Sequence, residues 1–172
     1  FYGYNDMLTY LEYQKERILN KDPIVNDSHS TTDMYYKGSW MLHTLRTVLN
    51  NDSVWSEILR GIQSEFKHKT VNTATLIRYI QEQCDCDLSN FFQQYLFELE
   101  LPLFQYFFEK RGKKEFLHFR WHTESVEFNM AVLAKINSNG YDWIYPDKKW
   151  QKIQLTNISV AEFHIPENLF LI

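Results

Sequence analysis

The feature that most constrains this chain is a change in the spacing of its apolar residues at Pro102. Before it, apolar side chains recur at i, i+3 and i+4, the spacing of a helix with one buried face. After it, they recur at every second residue, the spacing of a half-buried strand. A chain with this order is predicted to be α+β, with a helical part followed by a β part. The boundary is predicted near Leu101, giving a helical part over residues 1–101 and a β domain over 102–172. With 172 residues, 44% of them hydrophobic and 17% aromatic, there is enough apolar material for a substantial core.

Five helices are expected in the first part. Met7, Leu8, Tyr10, Leu11 and Ile18 make a stripe on a first helix over roughly residues 4 to 19. Asn20 to Thr32 is polar, contains Pro23 and lacks periodicity, so it reads as a loop. A second helix follows from about Asp33, capped by Thr32 or Asp33. Met34, Gly38, Met41, Leu42, Leu45, Val48 and Leu49 form its expected buried face, with close packing expected against the backbone at Gly38. Asn51 and Asp52 cap a third helix with Trp55, Ile58, Leu59, Ile62 and Phe66 on its core face. Thr73 caps a fourth through Leu76, Ile77 and Ile80, and Asp87 a fifth through Leu88, Phe91, Phe92, Tyr95 and Leu96. Short links between them suggest an antiparallel bundle.

Beyond Pro102, Lys110-Arg111-Gly112-Lys113 supplies a turn, and Leu117, Phe119 and Trp121 alternate with His118, Arg120 and His122. Val126, Phe128, Met130 and Val132 alternate likewise, Asn139-Gly140 signals a hairpin, and Ile153 with Leu155 and Phe163 with Ile165 keep the rhythm. Short strands without intervening helices predict a small antiparallel β-sandwich.

Charge excludes some partners. A formal net charge of −4 offers no basic face for nucleic acid, and no apolar run is long enough for a membrane span. The cysteines, Cys84 and Cys86, are separated by one residue; they read as unpaired thiols near a helix end. His118 and His122 share a strand face but have no third ligand at useful spacing, so a solvated face is expected and not a metal site. H-E-x-x-H, Gly-rich phosphate loops and G-x-S-x-G are absent from the sequence.

One segment is specific. Asp33-Met34-Tyr35-Tyr36-Lys37-Gly38-Ser39-Trp40-Met41-Leu42-His43-Thr44-Leu45-Arg46 resembles the Y-x-K-G motif and following helix of the gluzincin zinc aminopeptidases, the family of aminopeptidase N. The helix before it, the run Asp87-Leu88-Ser89-Asn90-Phe91-Phe92-Gln93-Gln94-Tyr95-Leu96 and the phrase Leu101-Pro102 resemble the same family's closing helices and the start of its β domain. The resemblance implies that residues 1–101 are the C-terminal half of a thermolysin-like catalytic domain. It implies a parent enzyme that hydrolyses N-terminal residues from peptides with one zinc ion, held by H-E-x-x-H and a downstream Glu. Those ligands and the general base would lie upstream of Phe1, in a zinc-binding half that would be this chain's partner within the same polypeptide.

Tyr35 matches the family's tyrosine that donates a hydrogen bond to the oxyanion forming at the scissile carbonyl. A phenol suits that task because it is a neutral donor at pH 7. Lys37 and Gly38 are assigned to packing and local structure, and Tyr36 to the motif's variable position. The chain alone is expected to be inactive and to bind no zinc. The alternative is a non-catalytic interaction module on the same scaffold.

Overall fold

A computed structural model describes residues 3–26 and 32–172. The described helices are α1 (Tyr4–Lys15), α2 (Asp33–Leu49), α3 (Asp52–Glu65), α4 (Thr73–Cys84) and α5 (Ser89–Phe92). A π-helical turn, Gln93–Phe97, continues α5. The strands are β1 (Leu103–Arg111), β2 (Lys114–His122), β3 (Val132–Asn137), β4 (Gly140–Ile144) and β5 (Gln151–Gln154). The α+β reading holds: helices come first, then two small antiparallel sheets, one ordered β1-β2-β5 and the other β3-β4.

Local chemistry sets most helix ends. The Asn51 side chain accepts from Ser53 N and Val54 N and starts α3. Asn72, not Thr73, caps α4 by accepting from Thr75 N at 2.8 Å. Asp87 Oδ1 accepts from Ser89 N at 2.9 Å, satisfying a donor at the start of α5. The first helix is shorter than its apolar stripe predicts, ending at Lys15, because Asn20 turns into the left-handed region and Asp33 holds the chain there. Part of the expected 20–32 loop, residues 27–31, lies outside the described residues.

The buried face of α2 differs from the expected one. Trp40, Met41 and Leu45 are buried, but so are Asp33, Lys37 and Thr44, while Met34 and Leu42 are exposed. The face is rotated toward polar groups because each has a specific partner across the fold. Leu59 of α3 is likewise exposed, leaving Ile58 as that helix's fully buried residue. At Gly61, a Cβ would overlap the Tyr79 hydroxyl, so the missing side chain lets α4 pack against α3.

In the first sheet, β1 and β2 run antiparallel from Leu103↔His122 to Arg111↔Lys114, with Gly112 at φ +62° in the two-residue turn. A positive φ at the first turn position matches the twist of the flanking strands. The predicted alternation at β2 is met: Leu117, Phe119 and Trp121 are buried. The alternation from Val126 to Met130 does not make a strand. Phe128 and Met130 are buried, yet the segment has no ladder partner and strand structure begins at Val132. An extended loop laid on the core buries every second residue just as a strand does. Phe163 and Ile165 likewise lie outside the named strands, where Lys135 pairs with His164 in a single bridge.

Cys84 and Cys86 are not free thiols. They form a disulfide with their Cα atoms 5.2 Å apart, within the usual range. The geometry is reached because Asp85 ends α4 at φ 50°, a left-handed conformation that folds the chain back on itself.

One apolar cluster runs through the chain, from Leu11, Trp40 and Ile58 through Tyr95 to Trp121, Phe128 and Leu171. The C-terminal segment joins the helical and sheet regions: Leu171 N donates to Thr44 Oγ1 at 2.9 Å, and Tyr95 OH donates to Leu171 O at 2.7 Å.

Candidate functional site

The start of α2 is built from its buried polar residues. The Asp33 carboxylate accepts from Leu19 N at 2.8 Å and from Asn20 N at 2.7 Å, fixing the incoming chain against the helix. Tyr35 N and Tyr36 N reach back to Thr32 O at 2.9 and 3.3 Å. One turn on, buried Lys37 donates from Nζ to Glu98 O at 3.0 Å and Leu99 O at 2.9 Å. Those carbonyls follow the π-helical turn, whose end leaves backbone acceptors without helical partners. Burial lowers the Lys37 pKa, and the nearby charges of Asp33, Glu100 and Glu98 oppose that shift. Lys37 is therefore a structural cation holding α2 to the segment that leads into β1, which fits the packing role expected for it.

The two tyrosines of this turn diverge. Tyr36 is half-buried, with the Arg17 guanidinium 5.9 Å from its ring centroid. Tyr35 is 69% exposed, and among the described residues its hydroxyl has no hydrogen-bond partner. Its neighbours at helical spacing are Gly38 and Leu42, at i+3 and i+7. Leu42 is exposed, as is Met34 beside Tyr35. The close packing expected at Gly38 is not found among the described residues: beyond the helix's own backbone, none of their heavy atoms lies within 4 Å of where its Cβ would sit. Gly38 itself is buried, unlike the tyrosine three residues before it.

The rest of α2 is anchored. Trp40 Nε1 donates to Leu11 O at 2.5 Å, and Ser39 Oγ donates to Gln14 Oε1 at 2.6 Å, joining α2 to α1. His43 Nε2 donates to Asn168 O at 3.1 Å. Burial lowers the His43 pKa, the Asn168 bond partly opposes this, and the charge of Arg46 adds to it. These contacts make α2 a rigid support for an outward tyrosine. The α1 surface adds a second exposed apolar feature, an open groove of about 690 Å³ lined by Met7, Tyr10 and Tyr13.

The solvated face expected for the two histidines of β2 holds for His122 but not for His118, whose side chain is 18% exposed. His118 stacks on Phe107 with centroids 4.5 Å apart, and its Nε2 bonds Glu109 Oε2 at 2.8 Å. His122 is exposed at the strand end. Among the described residues, no group of three His, Cys, Asp or Glu side chains is placed to hold a metal ion. No described helix is long and apolar enough to cross a membrane. The buried Asp33 and the Cys84–Cys86 bond are the features that sequence reasoning missed. The first had a signal, an acidic residue two positions before the motif; the second depends on the backbone turn at Asp85.

No family model matches the sequence, and no curated protein matches it. Among solved structures it is similar to aminopeptidase A from Legionella pneumophila, crystallised in complex with aspartic acid. The TM-score is 0.61 at 15% identity, over 75% of this chain and 16% of that one. At that identity the likeness shows a shared fold, and the chain spans a small part of its neighbour's length.

Proposed function

We propose that this chain is the tyrosine-bearing part of a zinc-dependent aminopeptidase of the gluzincin type, acting on the N-terminal residues of peptides. The observation that carries the reading is Tyr35: an outward phenol with no partner among the described residues, on a rigidly anchored helix, within Y-x-K-G. The fold shared with an aminopeptidase supports it. The described residues do not fit a zinc site, so in this reading zinc would be held by a separate part of the same polypeptide.

Within that reading, Tyr35 donates its O–H to the oxygen that gains negative charge as the peptide carbonyl is attacked. A donor aimed at that charge contributes most in the transition state, typically about 3–4 kcal/mol. Lys37 holds the helix.

The test uses the full-length polypeptide and an N-terminal aminoacyl amide substrate. Tyr35→Phe is expected to lower kcat by about 10²- to 10³-fold with KM little changed, and Tyr36→Phe to do far less. Small and equal effects from both, accompanied by lost stability, would return Tyr35 to a structural role.

A further inference from the structure

The disulfide between Cys84 and Cys86 stands apart from the tyrosine site and lies at the seam between the helical and sheet regions. Both cysteines are half-buried. They line an open cleft of about 380 Å³ together with Leu88, Met130 and Tyr145. The bond encloses a single residue, and the chain-entropy gain from a cross-link falls as its loop shortens. Such a bond adds little to the fold's stability. Asp85, inside the ring, sits at φ 50°, in the left-handed region that Asp enters more readily than most non-glycine residues.

The corner also accommodates the reduced state. Cys84 Sγ lies 3.5 Å from Gln81 O and 3.8 Å from Cys86 O. A sulfur in a disulfide has no proton to donate, so these are close approaches in the oxidised form. Once reduced, the Cys84 thiol has two carbonyl acceptors already in place. The backbone around it is held independently, with Leu88 N donating to Gln81 Oε1 at 3.1 Å and Cys86 N to Gln81 O at 3.3 Å.

From these observations we infer that Cys84–Cys86 is a thiol–disulfide exchange site, a reversible two-electron couple whose reaction partner is a small uncharged dithiol or its cyclic disulfide. In the forward direction one thiolate of the dithiol bonds to a cysteine Sγ as the Cys84–Cys86 bond breaks, and the released cysteine takes a proton from solvent. The dithiol's second sulfur, as thiolate, then displaces the attached cysteine and closes a cyclic disulfide. The displaced cysteine is protonated in turn, so the protein gains two electrons and two protons while the dithiol loses the same. The preference for an uncharged partner follows from charge. Glu82, Asp85 and Asp87 surround the corner, and the C-terminal end of α4 adds its partial negative charge. An anionic thiol such as glutathione meets repulsion there.

The test is a redox titration of the full chain under native conditions, with thiols trapped by a maleimide and counted by mass. Dithiothreitol is expected to release two thiols per chain while the helical circular dichroism is unchanged, and oxidised dithiothreitol without oxygen is expected to reverse the change. Compared at equal thiolate concentration, dithiothreitol should react about tenfold faster than glutathione at low ionic strength, with the gap narrowing at high salt. Thiols released only at denaturant concentrations that unfold the protein would make the bond structural and overturn the inference. So would a reduced form that oxidised dithiothreitol fails to close, or a glutathione rate equal to that of dithiothreitol at low salt.

Discussion

Glu109 draws three partners onto one carboxylate: Lys152 Nζ at 2.6 Å, Arg111 Nε at 2.5 Å and His118 Nε2 at 2.8 Å. The hydrogen bonds from Lys152, Arg111 and His118, in that order, lower its pKa from 4.5 to about 2. A carboxylate whose folded pKa is depressed stabilises the fold above its unfolded value and loses that contribution as pH falls through the folded one. The network's share of stability is therefore present above about pH 4.5 and lost toward pH 2. Glu109→Gln should flatten the fall in Tm over that window, and an unchanged acid limb would show that the network contributes nothing. Gly38 makes a contrasting prediction on the site side. None of the described heavy atoms outside its own helix crowds its Cβ position, so Gly38→Ala should stabilise α2 by about 0.5–1 kcal/mol. A variant with a lowered Tm would show that the buried position has no room for the methyl.

At the scale of elements, Lys37 joins α2 to the chain entering β1. Replacing it by Met removes both donors to Glu98 O and Leu99 O and leaves those acceptors without their partner. The expected cost is about 2 kcal/mol, with amide exchange rising at residues 98–101 before it rises in α3. A loss spread evenly over all helices would mean that Lys37 is not a local staple. The sequence made much of this level readable. The period change at Pro102, the Asn51 cap and the β1–β2 turn all arise from local chemistry that a sequence carries directly. The shorter α1, the rotated face of α2 and the absent strand at Val126 depend on contacts distant in sequence, which periodicity does not encode. Tyr35 could be singled out from the sequence because the residues of its motif are contiguous. Its outward direction was not, since that depends on which side of α2 the polar anchors Asp33, Lys37 and Thr44 turn toward the core.

For the molecule as a whole, the question is whether the helical and sheet regions melt as one unit or as two domains meeting near Leu101. The C-terminal segment argues for one unit. Phe170 and Leu171 are fully buried, and burying each side chain contributes roughly 1.5–3 kcal/mol. The Leu171 backbone adds its bonds to Thr44 and Tyr95, each worth about 1 kcal/mol net. Tyr95 itself is fully buried, and burial pushes its phenol pKa up, so the hydroxyl remains a donor throughout the accessible pH range. Removing residues 170–172 should therefore cost on the order of 5 kcal/mol, comparable with the whole stability of an ordinary domain. The loss should appear simultaneously in the helical far-UV signal and in the near-UV signal of Trp121 and Trp143, because the same residues brace both regions. Tyr95→Phe is the milder version, removing one bond and no packing, with a fall of about 1 kcal/mol in a still single transition. If the truncated chain instead keeps its helical melting temperature while the sheet signal is lost separately, the two regions are autonomous, and the division at Leu101 is a true domain boundary.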